Sequence, residues 1–276
     1  MADPGTGRDP APPRWARRPR RAVRETYDAV MGPALLEVAV LDPRDVPGAE
    51  EGGADRLLLA APGPRPDEHD RSPEPTLVSS VSRESELPVH VVLRLNSTWT
   101  TSGGELTRLV GLAEDYLGSG AAGVSFGFLD ADLEVDAEVC AYLVAQLPEV
   151  PWSFGRAVDD TLDLRRSFRR LTALPGLVGV RTAGSPRGLD AGADELLDLI
   201  AADPALAPLV VPAGDLVAEH LPWLVRAGVR SLHLGRQARP GRSFKAYVDA
   251  AHVRSWRLLL DDAVERAERL RGRDAG

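Results

Sequence analysis

Four charged or titratable side chains interrupt runs that are otherwise apolar or small: Glu37 in residues 35–41, Arg94 in 89–95, Arg156 in 152–158 and His233 in 231–234. A charge placed inside such a run is costly unless it is paired or used. A carboxylate beside arginines stays ionised, and one beside an imidazole can hold a cation or pass a proton. Arg94 and Arg156 have the chemistry to clamp a carboxylate or phosphate, with Glu37 or Asp159 as general base. Glu37, Asp159 and His233 together form a mixed carboxylate–imidazole set, of the kind that suits Mn, Zn or Fe. Thr182, Gly214, Gly235 and Arg236 follow or close later apolar runs, and add a candidate anion site of backbone N–H groups and a guanidinium. The plain alternative is an internal Glu–Arg ion network that fills space and does no chemistry.

The other histidines point elsewhere. His90 begins its run and is expected to be structural, and His69 lies in a Pro/Asp/Glu-rich loop. His220 and His252 fall on helical segments with no His-x3-His or His-Glu-x-x-His spacing, so a tight zinc site is not expected.

Eight short β-rich runs, at 35–41, 56–60, 89–95, 123–129, 152–158, 178–183, 209–213 and 231–234, would position these residues. Segments with helical apolar spacing separate them, as in Leu106, Leu109, Val110, Ala113 and Leu117. Eight strand–helix units in sequence predict an α/β fold, a single (β/α)8 TIM barrel spanning 34–276, with its site at the carboxyl ends of the strands. Gly53-Ala54, Gly120-Ala121 and Ala227-Gly228 predict tight helix-to-strand turns. Residues 244–271 read as one amphipathic helix that closes the barrel or joins a homodimer contact.

The chain has 276 residues, net charge -8, 43% hydrophobic residues and one cysteine. That supports a large core, and it leaves no intramolecular disulfide, so a reducing cytoplasm is expected. No apolar stretch is long enough for a membrane span, and no secretory signal is expected. Residues 1–33 are expected to form a disordered basic tail. The seven arginines of its first 24 residues, against Asp3 and Asp9, leave those at +5 and the remainder at -13. An acidic body makes nucleic acid an unlikely partner.

Taken in order, several segments resemble the CutC family of copper homeostasis proteins. They are Leu35-Leu36-Glu37-Val38, Gly52-Gly53-Ala54-Asp55-Arg56, Pro88-Val89-His90-Val91 with Leu93-Arg94, Gly127-Phe128-Leu129-Asp130, Phe154-Gly155-Arg156-Ala157 with Asp159, Thr182-Ala183-Gly184-Ser185 and Ala227-Gly228-Val229 through His233. The resemblance implies a TIM barrel and copper ion binding. The chain departs from the family where Leu58, Leu59 and Gly155 replace an acid, a cysteine and a histidine. Cuprous copper prefers thiolate and thioether ligands, for which Cys140, Met1 and Met31 are the only candidates. Three functions therefore stay open: a copper or other metal-binding protein, an enzyme acting on a small carboxylate- or phosphate-bearing substrate, and a degenerate, non-catalytic barrel. In the first two, a metal or small molecule binds at the barrel mouth.

Overall fold

The computed structural model describes residues 34–63 and 70–274. The basic tail, His69, Met1 and Met31 lie outside the described residues. Eight strands are present: β1 (Leu35–Val40), β2 (Arg56–Leu59), β3 (Val89–Val92), β4 (Gly123–Phe126), β5 (Trp152–Phe154), β6 (Leu177–Thr182), β7 (Val210–Pro212) and β8 (Ser231–Leu234). The helices that follow them in turn are α1 (Val46–Glu51), α2 (Pro75–Glu84), α3 (Gly103–Gly118), α4 (Ala137–Gln146), α5 (Leu164–Thr172), α6 (Leu189–Ala202), α7 (Leu221–Arg226) and α8 (Ala250–Asp274).

All the ladders are parallel, in the order β7-β6-β5-β4-β3-β2-β1-β8, and β7 lies beside β8 without a paired ladder. The result is a nearly closed TIM barrel, as expected from the eight apolar runs. Strand alternation sorts the side chains. Leu36, Val38, Val40, Leu57, Leu59, Val89 and Val91 join the large core under the helices. The intervening residues face the barrel axis, where Leu41, Leu58, Ala60 and Val92 form a small separate cluster with Phe244 packed on it. The rest of the axis is polar: Glu37, Arg56, His90, Ser125, Ser153, Arg181 and His233 are all buried there.

The observed strands stop earlier than the apolar runs do. Leu93, Leu129, Ala157 and Val158 are buried, yet they lie beyond the strand ends and anchor loops instead. The last helix begins at Ala250, not near residue 244, because residues 244–249 form a loop whose Phe244 lines the cleft and whose Val248 packs into the large core. The three anticipated turns do carry glycine at positive φ: Gly53 at 87°, Gly120 at 106° and Gly228 at 106°.

Candidate functional site

Register decides who meets Glu37. It stands opposite Arg56 on β2 and His233 on β8, so one carboxylate is flanked by a guanidinium and an imidazole. Arg56 Nε donates to Oε2 at 2.7 Å, and His233 Nδ1 lies 2.7 Å from Oε1. Burial would raise the Glu37 pKa, but Arg56 and His233 outweigh it and hold the carboxyl far below its usual range. An ionised carboxylate only accepts, so the Nδ1 proton of His233 is the one donated. That leaves a lone pair on Nε2, which makes no hydrogen bond among the described residues. Burial, helped by Arg181 and Arg56, lowers the His233 pKa despite its carboxylate partner.

Asp159 belongs to a second group. A 3-10 turn over Arg156–Asp160 follows β5 directly and brings Arg156 Nε to Asp159 Oδ2 at 2.8 Å. Thr182 Oγ1 donates to Oδ1 at 2.6 Å, and the Ala183 N–H donates at 2.9 Å. Burial raises the Asp159 pKa, while these partners pull it back. Gly214 backs this group: it has φ 83°, and a Cβ there would sit 2.7 Å from Arg156 Nη1. Gly214 thus gives Arg156 room to lie against the loop after β7.

Arg94 is held by its own loop. Nη2 donates to Ser97 O at 2.7 Å, Nε donates to Thr98 O at 3.2 Å, and Nη1 is paired with Asp70. The guanidinium stacks on Trp99, 3.8 Å from the ring centre. Trp99 Nε1 donates to Asp160, and its carbonyl accepts from the Leu129 N–H at 2.8 Å.

These groups surround a cleft of about 360 Å³ lined by Arg94, Trp99, Arg156, Asp159, Arg181 and Phe244, among others. Arg94, Arg156 and Asp159 therefore come together at its walls, and Thr182 supports Asp159. Gly235 lies against Phe244, 3.4 Å from where its Cβ would be. Arg236 makes an exposed pair with Asp215 at 3.0 Å and does not line the cleft. Glu37 and His233 meet each other along the barrel axis, and Asp159 does not join them. Among the described residues no group of three or more His, Cys, Asp or Glu is placed to hold a metal ion.

Arg181 can be read from sequence as a polar residue of the sixth run but is not among the candidate site residues, yet it is the most informative side chain here. Nη2 donates to Ser125 Oγ at 2.9 Å, and Nε is buried without a partner among the described residues. Arg56, Arg94, Arg156 and Arg239 each touch a carboxylate, whereas Arg181 makes no ion pair among the described residues. Glu37 and Asp70 act on it only at longer range, and burial dominates in pulling its pKa down. The signal was available: Arg181 also interrupts an apolar run.

Among the described residues the donor set does not fit cuprous copper. Cys140 is fully buried in α4, and burial pushes its thiol up to about 12, so it packs as a small hydrophobe.

A nearly closed (β/α)8 barrel with a buried Glu–Arg–His row and a cleft at its mouth lined by paired arginines and aspartates defines a TIM-barrel protein. Within that class the chain belongs to the CutC family, whose pattern matches residues 34–238. A family protein CutC from Klebsiella pneumoniae is 28% identical over 233 residues, covering 81% of this chain and 92% of that protein. The copper homeostasis protein cutC homolog of Mus musculus is 30% identical over 205 residues, 72% of each chain. The crystal structure of a CutC protein from Streptococcus agalactiae superposes with a TM-score of 0.64 at 17% identity, covering 73% of this chain and 98% of the other. Among the described residues no helix is long and apolar enough to cross a membrane.

Proposed function

We propose that this CutC-family barrel binds a small carboxylate- or phosphate-bearing molecule in the cleft at its mouth. The observation that carries this is Arg181: a buried guanidinium with one neutral hydrogen-bond partner and no carboxylate among the described residues, beside an open cleft. A buried cation left so is expensive, and an anion supplies what it lacks. Arg156 and Arg94 also stand at the wall but are already paired, with Asp159 and Asp70, which leaves Arg181 as the cleft arginine without an ion pair among the described residues. Turnover of the ligand is the second reading, favoured by the open Nε2 lone pair of His233. Copper homeostasis, the role for which the mammalian relative is named, extends to this chain as a family role; the donor chemistry of the described residues does not make Cu(I) the ligand of this cleft. The single cysteine fits a reducing cytoplasm.

The test is thermal unfolding with acetate or inorganic phosphate titrated into an oxyanion-free buffer. Ligand at a hundred times Kd stabilises by about 2.7 kcal/mol. The wild-type melting temperature should rise and that of Arg181→Met should not. Equal behaviour of the two proteins refutes the assignment.

A further inference from the structure

We infer that Gly155 is the specificity-determining residue of this cleft: the side chain it lacks leaves open the approach to Arg181, and the terminal carboxylate or phosphate of the ligand docks there on Arg181 and Ser125. This rests on the anion assignment above and adds where the head of the ligand sits and which residue admits it.

Strand order brings the three residues together. β5 lies between β4 and β6, so Arg181 of β6 crosses β5 to reach Ser125 of β4, and its Nη2 does so at 2.9 Å. Gly155 is the first residue beyond β5, and its own N–H is taken by Phe126 O at 2.8 Å. All three residues line the cleft.

Nothing in the fold calls for glycine at this position. Its φ of -80° and ψ of -177° are extended backbone that any residue adopts. A Cβ there would meet nothing closer than Arg181 Nη2 at 3.4 Å and Phe126 O at 3.7 Å, which is ordinary contact. Gly214 and Gly192 differ, since a Cβ would stand 2.7 Å from Arg156 Nη1 in the one and 2.0 Å from Ala183 O in the other. What the missing side chain at 155 provides is room beside a guanidinium.

The groups beside that room are donors that lack an acceptor. Arg181 is 9% exposed; its Nε is buried without a partner, and its Nη1 makes no hydrogen bond among the described residues. Ser125 Oγ accepts from Arg181, and its own proton has only Ser153 O at 3.4 Å. An oxyanion between the guanidinium and the hydroxyl satisfies both. The carboxylates of the cleft are engaged elsewhere: Asp70 and Asp159 are paired with Arg94 and Arg156, and Asp160 accepts from Trp99. A methyl group 3.4 Å from Nη2 would take the ground that a ligand oxygen needs at about 2.7–2.9 Å.

Thermal unfolding and titration calorimetry, with acetate and inorganic phosphate as ligands, test this on Gly155→Ala and Gly155→Asp. Gly155→Ala should melt no lower than wild type, since alanine at a negative φ restricts the unfolded chain. It should bind both anions about ten- to a hundredfold more weakly, the worth of one hydrogen bond to a charged group. Gly155→Asp brings its own carboxylate to the guanidinium: in oxyanion-free buffer it should melt above Gly155→Ala, and neither anion should raise it further. Wild-type affinity in Gly155→Ala, or an aspartate variant that melts below the alanine one, overturns this inference and leaves the anion assignment standing. A Gly155→Ala protein that melts well below wild type makes the glycine a packing requirement and overturns the inference as well. If the wild-type protein binds neither anion, the anion assignment falls with it.

Discussion

Replacing Arg181 by methionine should make the ligand-free protein more stable. The wild-type guanidinium gives up its hydration for one hydrogen bond, at 2.9 Å to Ser125 Oγ, with Nε orphaned. A hydrogen bond from a charged group is worth about 1.5–3 kcal/mol, and an unsatisfied buried donor costs about 1–3 kcal/mol. Desolvation of the charge itself costs several kcal/mol. Methionine is unbranched and adapts to the same space, and Ser125 keeps a long contact to Ser153 O at 3.4 Å. The balance favours the variant by about 1–3 kcal/mol, or roughly 2–10 °C in melting temperature for a barrel of this size. Arg239→Met is the control. It strips the partner from Asp45, which is 0% exposed, and breaking such a buried pair costs about 3–5 kcal/mol. Both variants are compared with wild type by thermal and urea unfolding, in Tris with chloride as the only anion. If Arg181→Met is destabilised as much as Arg239→Met, the guanidinium is already neutralised within the fold, and the ground for an anion ligand is gone.

Two further outcomes are expected. His90 and His233 have pKa values held below 6.5, chiefly by burial, with Arg56 and Arg181 adding to it. Below about pH 6.5 the unfolded chain takes up protons that these folded imidazoles refuse, so stability falls between pH 7 and 5 by up to about 1.4 kcal/mol per unit for each histidine. Asp159 and Asp55, with raised values, act in the opposite sense only nearer the carboxylate range. Urea midpoints at the two pH values check this, and a flat or rising profile contradicts it. Gly192→Ala should cost about 3 kcal/mol or prevent folding, because its Cβ would stand 2.0 Å from Ala183 O and 2.5 Å from the Gly184 carbonyl carbon. Gly111→Ala in α3, where nothing lies within 4 Å, should instead add about 0.5–1 kcal/mol; melting temperatures moving the same way in both variants would disprove the packing account.

The barrel was legible because eight runs of apolar residues recur with helical spacing between them, and burial inside a parallel sheet requires both. The strand ends were not. Leu93 and Val158 look the same in sequence whether they pair with a neighbour or plug a loop. Glu37 and His233 were recognised as candidates since each interrupts an apolar run, but their contact depends on the β1–β8 register, which spacing across nearly two hundred residues does not specify. Arg56 escaped attention as a partner because a charge at the first position of a strand resembles an ordinary boundary. Arg181 is visible in sequence as a charge inside the sixth run, but its importance is not. Its meaning lies in the carboxylate it lacks, and a missing partner becomes visible only once every other arginine of the cleft has been matched in space.

The bond between Asp45 and Arg239 also has a consequence for how the chain comes off the ribosome. Asp45 emerges early, whereas its counter-ion follows 194 residues later, together with the loop that carries Phe244. Domains fold during synthesis from the N-terminal side. Until Arg239 arrives, the nascent β1 strand and its following turn hold a carboxylate that has to stay hydrated, which keeps that end of the sheet loose. A chain that stops short of Arg239 leaves the Asp45 carboxylate without its guanidinium and lacks the loop that brings Phe244 to the cleft.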